Sequence, residues 1–301
     1  MTSVKASDNE IILIGKVLNN TNEPLKKRFR ALFTLRNLGG KQSIEEINSC
    51  FKDESELLKH ECAYVLGQMQ DELAIDYLIK ILEDESQQPI VRHEAGEALG
   101  ALGDDRVMPI LEKYSTCSIS EIAETCYLAI KRIRWLKESK EEVSENPYKS
   151  VDPAPPSAEK NIEKLTTTML NEKEDLFERY RALFALRNIG TTEAVLSLSK
   201  GLFVGSPLFR HEIAYVLGQM QHEAAIPSLE ESLRDPLENC MVRHESAEAL
   251  GSIGLSKCNN VLKEFLQDKA RVVKESCEVA LDMSDYNSSG EFQYANALLS
   301  T

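Results

Sequence analysis

Five histidines occur in the 301 residues, and four of them, each followed directly by glutamate, occupy repeat-equivalent places: His60-Glu61, His93-Glu94, His211-Glu212 and His244-Glu245. The two pairs of the first half recur in the second at a constant offset of 151 residues (60 to 211, 93 to 244). Imidazole and carboxylate together make ligand sets for redox-active iron. Two histidines and one carboxylate with open positions form the oxygen-activating ferrous site. Helical bundles hold di-iron centres with the same residue types, there three apart on a helix. Four histidines with two to four glutamates would supply two such irons. A lone His-Glu dipeptide is commonly a helix cap or a surface pair, and repeat proteins also reuse residues for packing. Here the leucines and glycines recur in more repeats than the repeat-equivalent His-Glu pair does, while that pair takes four of the five histidines. These eight residues are the candidate metal ligands.

The fifth histidine serves as a control. His222-Glu223 has Asp71-Glu72 as its counterpart 151 residues earlier and follows the helix end Gly218-Gln219-Met220, so it is expected at a surface turn. No HExxH zinc motif is present, because the fourth residue after His60 is Tyr64 and after His93 is Glu97. Glycine-rich phosphate loops, a Gly-x-Ser-x-Gly elbow and Cys-x-x-Cys pairs are also lacking. Arg92 and Arg243 directly precede two of the pairs. Two roles are open to them: orienting site carboxylates, or facing solvent. Lys131, Arg132 and Arg134 around the single Trp135 read as a solvated helix end.

The elements that must position these residues come from an internal duplication. Arg30-Ala31-Leu32-Phe33 through Gly39 recurs as Arg181-Ala182-Leu183-Phe184 through Gly190, at the same offset of 151. Within each half a shorter period runs through Leu35, Leu66, Leu99 and Ile130, and again through Leu186, Leu217, Leu250 and Leu281. A period just over 30 fits helix, turn and second helix, the unit of an α-solenoid. Leu73, Tyr77, Leu78 and Ile81 make a one-sided apolar stripe, and two-residue alternation is absent, so the expected fold is all-α, with four helix pairs per half. Gly67 and Gly100 are expected where stacked helices approach closely. The halves are 1–136 and 161–283. Residues 137–160, with Pro153-Ala154-Pro155-Pro156, read as an extended flexible linker. The tail, 284–301, is expected to be poorly ordered. Equivalent positions of adjacent repeats stack, so two His-Glu pairs should share one face of each half. If the halves face each other about a pseudo-twofold axis, four imidazoles and four carboxylates converge.

Composition sets the surroundings. Lys and Arg number 35 and Asp and Glu 49, for a net charge of −14. An acidic chain argues against nucleic acid as a partner and suits a cationic ligand or basic protein. No apolar run reaches the roughly 18–20 residues of a membrane span, and the polar first ten residues lack a secretory h-region. Seven scattered cysteines read as small core residues in a reducing compartment. The expected location is cytoplasmic, with the nucleus also open.

The repeats resemble HEAT repeats. The motifs Arg-Ala-Leu-Phe-x-Leu-Arg-Asn (from Arg30 and Arg181), His-Glu-x-Ala-Tyr-Val-Leu-Gly-Gln (from His60 and His211) and Val-Arg-His-Glu followed by Glu-Ala-Leu-Gly (from Val91 and Val242) resemble the deoxyhypusine hydroxylase family. The resemblance covers nearly the whole chain outside the linker and tails. It implies an α-solenoid of eight HEAT-type helical hairpins in two pseudo-symmetric halves of four. It also implies a di-iron monooxygenase that hydroxylates the deoxyhypusine side chain of a translation factor to form hypusine. Its cofactors would be two Fe ions, Fe2+ in the reduced form, with O2 as co-substrate and an unidentified electron donor. The family's ligand positions fall on His60, Glu61, His93, Glu94, His211, Glu212, His244 and Glu245. Two carboxylates with four histidines complete two ligand sets. Glu61 and Glu212 are the first choice as ligands, leaving Glu94 and Glu245 as contacts to substrate ammonium groups or as additional ligands. Three rivals stand beside this: a non-catalytic HEAT-repeat scaffold, a HEAT-like lyase acting on tetrapyrroles, and a zinc or manganese hydrolase using the same ligands.

Overall fold

A computed structural model of the chain describes residues 6–291 and 293–297. Among the described residues there are sixteen α-helices and short 3-10 turns, with no strand. The first half comprises α1 (Asp8–Leu18), α2 (Leu25–Leu38), α3 (Gly40–Ser49), α4 (Glu56–Gln68), α5 (Ile75–Glu83), α6 (Pro89–Leu102), α7 (Met108–Tyr114) and α8 (Ser120–Glu138). The second comprises α9 (Ile162–Leu170), α10 (Leu176–Ile189), α11 (Thr192–Gly201), α12 (Pro207–Met220), α13 (Ile226–Arg234), α14 (Cys240–Ile253), α15 (Ser256–Glu264) and α16 (Arg271–Ser288). They pair in sequence as eight hairpins, the α-solenoid expected. No described helix is long and apolar enough to cross a membrane.

Sequence explains the division of labour between the two helices of each hairpin. The odd-numbered helices carry a single apolar stripe; α5 buries Ile75, Leu78, Ile81 and Leu82 and leaves its other face wet. Of the even-numbered helices, α4, α6, α10, α12 and α14 are buried over most of their residues, as a more continuous apolar pattern requires. Leu35, Leu66, Leu99, Leu186, Leu217 and Leu250 are all fully buried, each worth roughly 2 kcal/mol of transfer free energy. These inner helices stack α2–α4–α6–α8 and α10–α12–α14–α16, and contacts of α8 with α10 and α12, and of α16 with α2 and α4, close the circuit into a ring. The glycines work where expected. A Cβ on Gly67 would lie 2.8 Å from the Ala98 backbone, and one on Gly251 would lie 2.6 Å from the Ala280 carbonyl oxygen.

The duplicated chain makes matched fastenings between the halves. Ser55 Oγ donates to Glu275 at 2.6 Å, and Ser206 Oγ to Glu124 at 2.5 Å, each pair the other shifted by 151 residues. Tyr64 and Tyr215 share a hydroxyl–hydroxyl hydrogen bond of 2.9 Å on the pseudo-twofold axis. Arg28, Arg92, Arg179 and Arg243 each send Nε to a carbonyl ten residues earlier, on the preceding outer helix. Five of the seven cysteines are buried, and all are free thiols.

Two segments expected to be loose make specific contacts. Residues 137–160 hold no helix beyond Glu138, but the segment is a strap rather than a loose tether. Gln68 of α4 clamps the Val151 backbone from both sides (2.9 and 3.2 Å), Arg132 Nε donates to the Asp152 carbonyl, and Asp152 pairs with Arg187, whose side chain is fully buried. Burying these polar partners gives the strap a fixed course that composition alone does not reveal. The tail, as far as it is described, also makes contacts. α16 continues to Ser288, and Tyr294 then packs edge-on to Phe33 while Arg30 lies 4.8 Å from its ring. The remainder of the tail lies outside the described residues.

Candidate metal centre

Each of the four histidines is the fifth residue of its helix: His60 in α4, His93 in α6, His211 in α12 and His244 in α14. A shared register on four stacked inner helices aims all four at the ring's centre. His60 and His93 ring centroids are 5.5 Å apart, His211 and His244 5.3 Å, and across the halves His60–His244 and His93–His211 are 5.3 and 5.5 Å. The imidazoles and carboxylates named from sequence therefore do converge about the pseudo-twofold axis. His93 and His244 are fully buried, and the other six residues are less than a tenth exposed.

Two of the four carboxylates approach an imidazole. Glu94 Oε2 lies 3.2 Å from His60 Nε2, and Glu245 Oε2 lies 3.3 Å from His211 Nε2. Glu61 and Glu212 make no such approach to an imidazole among the described residues. The reason is geometric. Successive helical residues point about 100° apart, so a glutamate meets the histidine of the neighbouring repeat more readily than the one before it in sequence. Ligand atoms of His60, His93 and His211 lie within 4.8 Å of one another, as do those of His211, His244 and Glu245, and of His93, Glu94 and Glu97.

These residues fit a divalent metal. Seven of the eight ring nitrogens (both of His60, His93 and His211, and Nε2 of His244) are buried without a hydrogen-bond partner, as is one oxygen of Glu212. Each orphaned polar atom costs about 1–3 kcal/mol unless something binds it. Burial and the neighbouring imidazoles push His93 well below the usual histidine range, and burial lowers His211 to about 3. These rings are neutral and offer lone pairs. Burial first, and neighbouring carboxylates second, raise Glu61 and Glu94 to about 8, and they drive Glu212 and Glu245 upward too. A bound cation reverses that preference and releases the protons.

Beside this cluster lies a cavity of about 370 Å³, lined from both halves by Glu61, Glu212, Tyr64 and Tyr215 among others. Glu97 and Glu248 belong to the same lining and were not named as site residues from sequence. They stand four residues after His93 and His244, one turn along the same face, and they recur at the 151-residue offset; that spacing is the signal that could have found them. Glu248 Oε1 accepts from Ser276 Oγ at 3.1 Å and lies 3.5 Å from His244 Nδ1. Tyr148 and Ser150 of the strap also line the cavity; no sequence periodicity marks them. Arg92 and Arg243 do neither of the things left open: they are buried, and each ties the two helices of its own hairpin together through the Leu82 or Leu233 carbonyl. Arg132 is likewise no solvated end, since it bonds Gly100 and Asp152 carbonyls. His222 caps a 3-10 turn, accepting from the Ala224 N–H through Nδ1, far from the cluster in role as expected.

Comparison with known proteins bears on this site. A model of HEAT repeats matches residues 14–90, 51–131, 162–240 and 206–282. A deoxyhypusine hydroxylase of Danio rerio is 57% identical over 298 residues, covering 98% of each chain. The one of Homo sapiens is 54% identical over 292 residues, covering 97% of each. Among solved structures, human deoxyhypusine hydroxylase in complex with glycerol superposes with a TM-score of 0.91 at 54% identity, over 93% of this chain and 97% of that one.

Proposed function

The chain belongs to the deoxyhypusine hydroxylase family, and from that membership we propose that it hydroxylates the deoxyhypusine side chain of a translation factor, using two ferrous ions and dioxygen. The observation that carries the metal part is the set of buried, partnerless imidazole nitrogens with two carboxylates against them. His60, His93, Glu94, His211, His244 and Glu245 would hold the irons, with both halves contributing three ligands. When bound, the irons supply the dioxygen-derived oxidant that an unactivated C–H bond requires and side chains lack; two electrons from an external donor complete the stoichiometry.

The chain's own residues bind and orient. Glu61 and Glu212, free of imidazoles, face the cavity and accept the substrate's ammonium groups; their burial makes each ion pair stronger than in water. The wall of Tyr64 and Tyr215, hydrogen bonded to one another, packs against methylene carbons and keeps bulk water off the reacting carbon. The fixed register of four helices holds the ligands without rearrangement. The test is elemental analysis of the purified protein with an air-exposed absorption spectrum, followed by mass spectrometry of the deoxyhypusine-bearing translation factor. About two irons per chain, a visible band and incorporation of one oxygen atom from labelled O2 are expected. Stoichiometric zinc with oxygen-independent turnover would favour the hydrolase instead, and an iron-free protein reconstituted without effect would leave a scaffold.

A further inference from the structure

The duplication lets each half act as a control for the other. Arg36 in α2 and Arg187 in α10 occupy the same repeat place (36 + 151 = 187), but their surroundings differ. In the second half the strap lies over α10. Asp152 accepts from Arg187 Nη1 and Nη2 at 2.9 and 2.6 Å, Gln219 Oε1 accepts from Nη1 at 2.9 Å, and the Tyr148 ring stands 5.3 Å from the guanidinium. Arg187 is fully buried and neutralised. No strap covers α2. Arg36 remains partly exposed, pairs with no carboxylate among the described residues, and lines the cavity near Phe33. Among the described residues it is the one Lys or Arg on a wall that carries six glutamates, Glu61, Glu94, Glu97, Glu212, Glu245 and Glu248.

A cationic side chain is drawn to those glutamates and repelled by Arg36, so Arg36 has no attractive part to play toward the ammonium groups. A lysine-derived side chain brings something else to the rim of any cavity it enters: its own peptide backbone, with carbonyl oxygens that accept hydrogen bonds. A guanidinium offers five N–H donors in a rigid fork and no acceptor. Resting on the hydroxylase reading above, we propose that Arg36 is a specificity-determining residue that donates to main-chain carbonyls flanking the modified lysine and repels ammonium groups from the rim. The site then prefers a polyamine side chain anchored in a polypeptide over a polyamine free in solution.

Two probes separate this from a general electrostatic role. Binding of the deoxyhypusine-bearing translation factor and of free spermidine is measured by calorimetry on the ferrous-loaded protein under nitrogen, for wild type, Arg36→Gln and Arg36→Lys, with metal content determined for each. Arg36→Gln should weaken binding of the protein about tenfold, the loss of a charged hydrogen bond, while spermidine binds equally or more tightly. Arg36→Lys keeps the charge but loses the fork, so it should weaken the protein several-fold without tightening spermidine. Equal effects on both probes, or none on either, would overturn the assignment. Wild type that binds the translation factor no better than an unmodified control would overturn the hydroxylase reading itself, whatever Arg36 does.

Discussion

At the scale of single residues, the proposed separation between ligating and substrate-facing carboxylates rests on which glutamate meets an imidazole. Glu94→Gln and Glu245→Gln should each lower iron content to about half or less, as His60→Ala should. Glu61→Gln should keep its iron and weaken substrate binding instead. Plasma emission analysis beside a substrate titration reads both, and full iron in Glu94→Gln would sink the ligand assignment. The same carboxylates impose a pH dependence on the metal-free protein. Glu61 and Glu94 are raised from an ordinary 4.5 to about 8 in the folded state, so the stability they contribute is present below 4.5 and lost as pH rises through 8. His211, lowered from 6.5 to about 3, acts oppositely: its contribution is complete above 6.5 and lost as pH falls through 3. Between pH 6.5 and 8 only the carboxyl contribution changes. Thermal melts of metal-free protein should therefore show Tm falling over that interval, and ferrous iron should remove the fall.

At the scale of elements, the strap deserves the same standing as the helices it crosses. Asp152→Ala would leave the Arg187 guanidinium buried without its counter-charge, a situation that costs about 3–5 kcal/mol. Urea unfolding should show that loss, whereas His222→Ala, which removes a cap on a short 3-10 turn and an exposed hydrogen bond with Thr192, should cost about 1 kcal/mol. Similar losses for both would mean that the strap is only a connector. The linker composition shows why helices stop there: four prolines between Asn146 and Pro156 remove backbone donors and forbid helical neighbours. It does not show that Gln68 and Gln219, 151 residues apart, both reach the segment, Gln68 at Val151 and Gln219 at Ser150.

At the scale of the whole molecule, the proposed centre draws its candidate ligands from both halves, so a bound metal and ring closure would support one another. A ligand present at a thousand times its dissociation constant adds about 4 kcal/mol to the folded state. Chelation should lower Tm, and calorimetry should resolve separate melting of the halves once the metal no longer joins them. A single unshifted transition after chelation would mean that Ser55–Glu275, Ser206–Glu124 and the tyrosine pair hold the ring alone.

The sequence by itself determined the helical repeat, the duplication and the identity of the eight clustered ligand candidates. These are properties of period, and period is written in the order of Leu35, Leu66 and Leu99 or of His60 and His93. Tertiary structure alone decided which carboxylate turns toward which ring, because Glu94 meets the histidine of a different repeat, 34 residues before it. It also decided that the linker is a strap and that Arg36 and Arg187, identical in sequence context, have different fates. Those outcomes depend on distances between segments that are far apart in the chain, and no local pattern of residue types encodes them.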